Sequence, residues 1–418
     1  MIAHWIWLST RPHVSDRVKV ELVRAFHDPE AVYYEDEDSF RRIPGMTPEA
    51  VTALSDKSME EAEQILRSCR KKGLHVLTFQ DAAYPSRLKN IPDPPLVFYY
   101  KGRLPEFDDL PVIGVVGTRK ASAYGMNTAR KMGYQIARCG GIVVSGMADG
   151  IDTMATCGAL TAGMPAVGIL GCGVDIVYPA KNRELFAQME RYGCLMSEFV
   201  PGTAPKAYNF PKRNRIISGL SCGVMVVEAP EKSGALITAN AALDQGRDVF
   251  AVPGNIDVDT FAGSNRLLRD GAIAVTSGWD IMCEYEAQFP EHIHKSNDSL
   301  PPKAEMTAEE SCAEFGKMQH TAAQKAALFG NNQDSNQKED KIVIDNGGAS
   351  PYSGLEDKTP PLLPEEQKIL SALTREPRLI DDVIAETGIP TARMLAVITL
   401  LQVKGLVKQH PGKHVCLT

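Results

Sequence analysis

VIGVVGTRKASAYGMNTARKMGYQIARCGGIVVSGMADGID, residues 112–152, is the stretch that decides the fold of this chain. Two short runs of β-branched residues, at 112–116 and 141–145, flank a helical segment at 124–138, and a glycine follows each run. Continuous apolar strands separated by a helix are typical of a parallel sheet covered on both faces. The pattern therefore predicts an α/β fold with a Rossmann-like, mostly parallel sheet core.

The same alternation extends on both sides of this stretch. Short β-rich runs precede it at 75–79 and 96–100. Beyond it, helices are predicted at 151–162, 183–190 and 236–245, and strands at 166–170, 193–197, 223–228, 248–252 and 272–276. We assign this Rossmann-like domain to residues 73–285.

The N-terminal part, residues 1–72, has helical periodicity and predicts a small helical domain of the SAM or helix-hairpin-helix type. Within it, FRRIPGMTPEAVTAL (residues 40–54) resembles one arm of a helix-hairpin-helix, whose turn presents backbone N–H groups to a phosphate. An ordinary helical corner capped at Thr47 is the alternative, because the second glycine of such hairpins is missing.

The C-terminal part contains two further segments. Residues 286–360 are rich in Pro, Ser, Asn and Gly without a clear buried-face pattern, and they predict a flexible linker. Residues 361–418 show three helical apolar faces followed by a hairpin, the pattern of a winged helix. Its third helix, at 391–404, holds only the cations Arg393 and Lys404. This favours a partner-binding or regulatory role, with duplex-DNA binding as the alternative.

Composition limits the class of protein. The 418-residue chain exceeds what one hydrophobic core usually serves, so two or three domains are expected. The formal net charge is -7, with 45 Lys and Arg against 52 Asp and Glu. This balance excludes a protein that coats nucleic acid through bulk positive charge, and any nucleic-acid site must be local.

The cysteines and the apolar runs indicate a cellular compartment. Nine cysteines are scattered singly, without a C-x-x-C pair or a His cluster at metal spacing. The N-terminus has a short apolar run at 6–8 with no basic region before it, so no signal peptide is predicted. No apolar run approaches the ~18 residues of a membrane span. We expect a cytoplasmic protein that needs no metal and does not enter a membrane.

Glycine-rich turns at strand ends are the candidate binding sites, because ligands of open α/β sheets bind at the carboxyl ends of the strands. In VVGTRK (residues 115–120), Gly117 ends a strand, Thr118 can donate a hydrogen bond and Arg119 offers a planar fork to a phosphate. VVSGMADGID (residues 143–152) supplies a second turn. Neither has the G-x-G-x-x-G spacing, so no dinucleotide cofactor is predicted.

Two later segments add cations, an aromatic ring and another helix start. In FPKRNRIISGLS (residues 210–221), several cations lie beside Phe210, and a single-strand site needs cations for phosphate and rings for bases. A solvated helix start with incidental charges is the alternative. EKSGALITAN (residues 231–240) opens a further helix at Ser233 and Gly234.

Seven strings in register, VVGTRKAS, SGMADGID, GILGCGVDIVYPAKN, FPKRNRIISGLS, KSGALITA, GRDVFAVPGN and GSNRLLRDGA, resemble the DNA-processing protein A (DprA/Smf) family over residues 75–280. The resemblance implies a protein that binds single-stranded DNA, forms a homodimer and loads a RecA recombinase during natural transformation and recombination. It implies no catalytic residue. The nucleic-acid-binding residues that it implies are Gly117, Thr118, Arg119, Ser145, Gly146, Lys181, Phe210, Lys212, Arg213, Asn214, Arg215, Ser233, Gly234 and Thr238.

The chain departs from the family pattern in the turn and helix after residue 145. Asp149, Thr156 and Cys157 stand where family members commonly carry an arginine, a histidine and a basic residue, and Asn240 also replaces a common basic residue. A weaker local positive potential is expected.

Two other classes remain open at this point. A phosphoribohydrolase-like enzyme of a related Rossmann class would resemble a P-G-G-x-G-T pattern, which the stretch from Glu228 to Ala235 lacks. Asp152, Asp175 and Glu228 could serve as a general base, but bracing of turns is the favoured role for Asp152. A pure scaffold that acts through the winged helix would leave the sheet edge empty.

Overall fold

The computed structural model describes residues 2–296, 364–374, 378–389, 394, 397, 398, 401, 406–410 and 414–417. The chain forms two compact units, residues 1–335 and residues 336–418.

The first unit begins with six helices. Side-chain caps fix several helix starts: Ser15, Asp28, Asp36 and Thr47 each accept a hydrogen bond from the backbone N–H three residues on. The turn before Thr47 contains Gly45 at φ +82°, and the capped corner has the geometry of the alternative given above. The helices are α1 Ile2–Thr10, α2 Asp16–Phe26, α3 Pro29–Tyr34, α4 Glu37–Arg41, α5 Pro48–Ser55 and α6 Glu60–Lys72.

A nine-stranded sheet follows, in the order β1-β2-β6-β5-β4-β3-β7-β8-β9 within the described residues. β1 pairs with β2 and β2 with β6 in antiparallel fashion, and the other neighbours are parallel. The strands are β1 His75–Thr78, β2 Val97–Gly102, β3 Val112–Val116, β4 Ile142–Ser145, β5 Ala166–Ile169, β6 Cys194–Ser197, β7 Gly223–Val226, β8 Asp248–Ala251 and β9 Ile273–Ala274.

The strand order reverses beside β3, since β4 lies on one side of it and β7 on the other. Such a switch point opens a crevice at the carboxyl ends of the two flanking strands, which is where ligands of doubly wound sheets bind. The predicted Rossmann-like, mostly parallel sheet is confirmed, and its topology fixes where a ligand site is expected.

Helices cover both faces of this sheet and bury two apolar clusters, one on each face. One cluster also includes side chains of α1 to α6, so these helices share a core with the sheet. The covering helices are α7 Ser86–Lys89, α8 Ala123–Arg138, α9 Ile151–Thr161, α10 Arg183–Tyr192, α11 Asn209–Leu220, α12 Gly234–Asp244, α13 Ala262–Arg269 and α14 Gly278–Met282.

Helices α8 and α9 approach closely because glycines face each other's backbone. A Cβ atom added at Gly133 would collide with the carbonyl oxygen of Ala155, and one at Gly158 with that of Arg130. The two glycines therefore set the depth at which these helices pack on the sheet.

Residues 286–296 differ from the predicted linker. Phe289 and Ile293 are buried in the same cluster as the sheet, four residues apart, and the backbone N–H of each bonds back to Tyr285 or Phe289. A short helical turn thus gives this segment an apolar face that the Pro- and Ser-rich sequence after it had obscured. The rest of the predicted linker lies outside the described residues.

The second unit has the elements of a winged helix. Strands β11 and β12 form a hairpin and β10 pairs with β12. Buried Ile369, Val383, Ile398, Val407 and Val415 belong to its core. Most of the predicted third helix, with Arg393 and Lys404, lies outside the described residues. The described elements are α15 Pro364–Ala372, β10 Arg378–Leu379, α16 Ile380–Thr387, β11 Val407–His410 and β12 His414–Leu417.

No described helix has the length and apolarity needed to span a membrane. Among the same residues, His, Cys, Asp and Glu side chains do not gather in threes as a metal ion would require.

Candidate nucleic-acid interface

A groove lies at the carboxyl edge of the sheet, at the switch point between β3 and β7. Its walls come from the loop after β3, the start of α11, and the loop after β7 with the start of α12. Further residues come from the loops after β4, β5, β6 and β8 and from the start of α9. Of the predicted site residues, the groove brings together Gly117, Thr118, Arg119, Phe210, Arg213, Asn214, Ser233, Gly234 and Thr238.

The loop after β3 is held from below by Glu228, which is fully buried. Its backbone oxygen accepts from Thr118 N at 2.7 Å. Its carboxylate accepts from Ser122 N at 3.0 Å and from Ser122 Oγ at 2.8 Å. Because both ends of the loop are tied to one residue, the exposed side chains of Arg119 and Lys120 start from a fixed backbone.

Arg119 lies over an aromatic ring. Its guanidinium carbon is 5.2 Å from the centre of the Phe210 ring, and the ring of Tyr178 is 5.5 Å from Phe210 at an interplanar angle of 39°. Arg119 is exposed, Phe210 half-buried and Tyr178 exposed. A cation that stacks on a ring at the mouth of a groove can hold a phosphate while the neighbouring rings stack on bases.

Arg213 lies beneath this surface and is almost fully buried. Its Nη1 donates to the carbonyl oxygens of Gly146, at 2.8 Å, and Ile169. Burial lowers the pKa of Arg213 to about 10, so the guanidinium stays charged at neutral pH. It adds positive charge to the floor of the groove, while part of its hydrogen-bonding fork is already used by the protein.

The turn after β4 is braced by Asp152. Its Oδ2 accepts from Gly146 N at 3.1 Å and from Ala148 N at 3.4 Å. Burial raises the pKa of this carboxyl to about 6, against the opposing effect of Arg213. The bracing role predicted for Asp152 agrees with these contacts.

Lys212 and Arg215 lie outside the groove, which does not agree with the phosphate contacts predicted for them. Arg215 Nη2 lies 2.8 Å from Glu198 Oε2 and 3.4 Å from Asp16 Oδ2, and its Nε lies 2.9 Å from Asp93. Lys212 Nζ lies 2.8 Å from Asp16. Residues two apart on a helix face different sides, so Arg213 and Arg215 cannot share a surface.

Three other predicted residues also have different surroundings from those expected. Ser145 is fully buried and its Oγ donates to Val115 O at 2.7 Å. Gly146 uses its N–H and its carbonyl on Asp152 and Arg213. Lys181 is exposed, and its Nζ lies 3.0 Å from Asp149 Oδ2. The turn after β4 still reaches the groove through Ala148, but the N–H of Gly146 is already bonded within the protein.

The start of α12 forms the opposite wall. Ser233 caps the helix by accepting from Ala235 N at 3.3 Å, and Gly234 is exposed with open space where a Cβ would stand. Thr238 is buried just below. Asn214 joins this wall to α11 through a 3.3 Å bond from its Nδ2 to Gly234 O. A helix start at such a wall favours negative charge.

Sequence reasoning missed four residues here: Lys120, Asp149 as a lining residue, Tyr178 and Lys232. The first and last are exposed cations at the groove. All four lie in the loops that follow β3, β4, β5 and β7. The rule that ligands meet the carboxyl ends of strands would have found them had it been applied to every residue of each loop.

This arrangement defines a Rossmann-like protein with a second, winged-helix unit. The groove at the sheet edge of the Rossmann-like unit suits an anionic ligand with aromatic groups. The family model for DNA recombination-mediator protein A matches residues 75–286, and that for the DprA winged helix domain matches residues 354–413. The chain belongs to the DNA-processing protein A (DprA/Smf) family, and the resemblance stated from the sequence is confirmed.

Individual relatives agree with this assignment. The chain is 34% identical over 352 residues to Protein Smf of Synechocystis, a match that covers 84% of this chain and 81% of that protein. It is 42% identical over 222 residues to DNA processing protein DprA of Bacillus subtilis, covering 53% and 74%. The X-ray structure of DprA from Streptococcus pneumoniae matches with a TM-score of 0.61 at 30% identity, covering 68% of this chain and 98% of that one.

Proposed function

We propose that the chain binds single-stranded DNA along the groove at the switch point. The observation that carries the proposal is Arg119, exposed and stacked on Phe210 at 5.2 Å, at the mouth of that groove. Lys120 and Lys232 add exposed positive charge on the same side. Cations that follow the backbone and rings that stack on bases are what binding of an unpaired strand needs.

Binding rather than catalysis is proposed because the candidate general bases at the groove already have partners. Asp152 accepts from two backbone N–H groups, and Glu228 accepts from Ser122. Each carboxylate braces the loop that it contacts, and this role competes with activation of water or a substrate hydroxyl. A phosphoribohydrolase-like reaction is accordingly not favoured.

The wider role that we propose rests on family membership. The family model describes a recombination mediator, and the B. subtilis relative is a DNA processing protein. We therefore propose that the chain protects single-stranded DNA in the cytoplasm, loads a RecA-type recombinase onto it during transformation or recombination, and acts as a homodimer. The winged-helix unit, set at residues 361–418, is proposed to bind a partner or regulate the protein.

The test is a salt titration of fluorescence anisotropy with a fluorescein-labelled oligothymidylate. Arg119→Ala should lower the affinity and reduce the slope of log K against log salt by about 0.7, the value for one phosphate contact on a single strand. Phe210→Ala should remove about 1–3 kcal/mol of stacking, a 5- to 150-fold loss, without changing the slope.

Arg191→Ala is the matched control. Arg191 is an exposed arginine near the end of α10, just before β6 begins, and so lies toward the opposite edge of the sheet from the groove. Its removal changes the net charge by the same amount as Arg119→Ala and should leave the affinity within twofold. Unchanged binding in both groove variants, with the fold intact, would refute the proposed site.

A further inference from the structure

An exposed tyrosine, Tyr124, lies where α8 begins, four residues after Lys120 on the loop that also carries Arg119. The residue is 54% exposed. A single exposed aromatic residue is ordinary on a protein surface. Two observations set Tyr124 apart: the protein holds its side chain in place, and the groove extends to it.

Contacts from two other loops hold the Tyr124 side chain. Its ring packs at 64° against the ring of Phe261, with the ring centres 5.7 Å apart, and Phe261 is almost fully buried. Its hydroxyl donates to Pro253 O at 3.3 Å. The backbone beside it is also fixed, because a Cβ atom at Gly125 would overlap the Glu228 carboxylate. The exposed part of the ring is therefore preorganised, and a ligand that stacks on it loses little energy in ordering it.

Tyr124 and Phe210 lie at opposite ends of the groove. The Phe210 ring contacts Gly171, which follows β5 by two residues, whereas the Tyr124 hydroxyl bonds Pro253, which follows β8 by two residues. Thr260, in the loop after β8, lines the groove and shows that it extends to this side. In the sheet, β4, β3 and β7 separate β5 from β8, which places the two ends ~19 Å apart. Several nucleotides span this distance, since stacked DNA rises by about 3.4 Å per nucleotide.

Positive charge lies between the two rings. Arg119, Lys120 and Lys232 are exposed and line the groove. Asp257 and Asp259 are exposed in the loop after β8, so the positive stretch ends there. Phosphates are attracted by the cations and repelled by the carboxylates. The backbone of a bound strand should therefore stay on the cations, and a base should be the last group to reach the β8 side.

We propose that Tyr124 is a second stacking residue for the bound strand, an inference that rests on the proposed function. A base near one end of the strand packs on the exposed ring of Tyr124, and a base several nucleotides away packs on Phe210. The phosphates between them follow Arg119 and Lys120. The strand thus crosses the carboxyl edge of the sheet from β5 to β8. Every base has a flat face, so Tyr124 adds affinity without sequence preference.

The experiment uses the full chain in the anisotropy titration, with labelled oligothymidylates of nine and of three nucleotides. Tyr124→Ala should lower the affinity for the longer strand by about 5- to 150-fold, the range for one stacked base, without changing the salt slope. It should change the affinity for the shorter strand by less than about twofold. Three nucleotides are too short to reach both rings, and the end with Phe210 and Arg119 offers them both stacking and charge.

Two further variants separate stacking from a structural role. Tyr124→Phe keeps the ring and loses only the bond to Pro253 O, so it should match the wild type within twofold. Tyr124→Leu keeps an apolar contact with Phe261 but has no aromatic face, so it should lose as much affinity as Tyr124→Ala.

Tyr34→Ala is the matched control. Tyr34 is 76% exposed on α3, and its ring contacts that of Tyr33 with the ring centres 5.2 Å apart. Its removal takes away an exposed ring far along the chain from the groove and changes no charge. The affinity for both strands should stay within twofold of the wild type.

The results separate this inference from the proposed function. Wild-type affinity of Tyr124→Ala or Tyr124→Leu for the longer strand would overturn the stacking role and leave binding at Phe210 intact. An equal loss in Tyr124→Phe would assign the effect to the hydroxyl and would also overturn it. An equal loss on the three-nucleotide strand would overturn the placement of Tyr124 at a separate end. Unchanged binding of both strands in Phe210→Ala and Arg119→Ala would instead refute the proposed function.

Discussion

Arg215→Met tests whether a predicted phosphate ligand is instead a structural cation. The Arg215 side chain is 10% exposed and bonds Glu198, itself 7% exposed, with Asp93 and Asp16 around it. Methionine keeps most of the apolar stem but removes the charge. Glu198 would then stay buried, with Lys212 Nζ at 3.8 Å as its remaining cation.

The expected cost follows from this burial. Removing one partner of a buried ion pair destabilises a protein by about 3–5 kcal/mol, because the other charge is left uncompensated. Total stabilities are about 5–15 kcal/mol, so the variant should remain folded at 25 °C. Urea unfolding followed by circular dichroism should show a midpoint lowered by about 1–2 M, given a slope of about 3 kcal/mol/M.

The loss of stability in Arg215→Met should not be accompanied by a loss of DNA affinity. In the anisotropy titration, folded Arg215→Met should match the wild type within twofold, with the same salt slope, whereas Arg119→Ala should lose affinity and keep its urea midpoint. Adding Glu198→Leu to Arg215→Met should recover much of the lost stability, since the orphaned carboxylate is then gone. A stable Arg215→Met protein with a shallower salt slope would refute this reasoning and would support the phosphate contact predicted for Arg215 from the sequence.

Three further outcomes are expected. Gly158→Ala should cost about 1–3 kcal/mol in thermal unfolding, because its Cβ meets the backbone of α8, whereas Gly234→Ala, in open space, should change stability by less than about 0.5 kcal/mol. Burial raises the pKa of Asp152 from 3.8 to about 6, so its contribution to stability is complete below pH ~4 and is lost as the pH rises through about 6. The unfolding free energy of Asp152→Asn, measured relative to that of the wild type, should therefore rise by about 2–3 kcal/mol between pH 4 and pH 7.5. A fall over the same pH range would contradict the burial argument. Glu228→Gln should weaken oligothymidylate binding several-fold, because Glu228 holds the loop that carries Arg119, and it should not alter the effect of Phe210→Ala. Additive losses of affinity in the Glu228→Gln, Arg119→Ala double variant would contradict an effect of Glu228 through Arg119.

The elements of the sheet were predictable because their signals are local. The strand at 112–116 agrees with the structure, and that at 141–145 does so within one residue, since each is a β-branched run ended by glycine. Strand ends in turn located the loops that form the groove. The buried turn at Phe289 and Ile293 was not predicted, because two apolar residues give too short a period to recognise before a polar segment.

The roles of single cations were harder to predict. Arg213 and Arg215 belong to one basic string, but the rotation of α11 about its axis places one under the groove and the other against α2. That rotation depends on the apolar residues Ile216, Ile217 and Leu220, which pack on the sheet. The amino-acid sequence gives the positions of the charges, but it does not show which face of the helix packs against the core.

The ion pairs between Asp16 and α11 have a consequence for anyone who divides this chain into pieces. A fragment that starts at residue 75, where the family match begins, would lack Asp16 and the helices that share the apolar core with the sheet. Its Arg215 would lose one anion, and an apolar flank would face water. We expect such a fragment to aggregate or unfold early, so the first seventy residues are part of the folding unit and should be kept in expression designs.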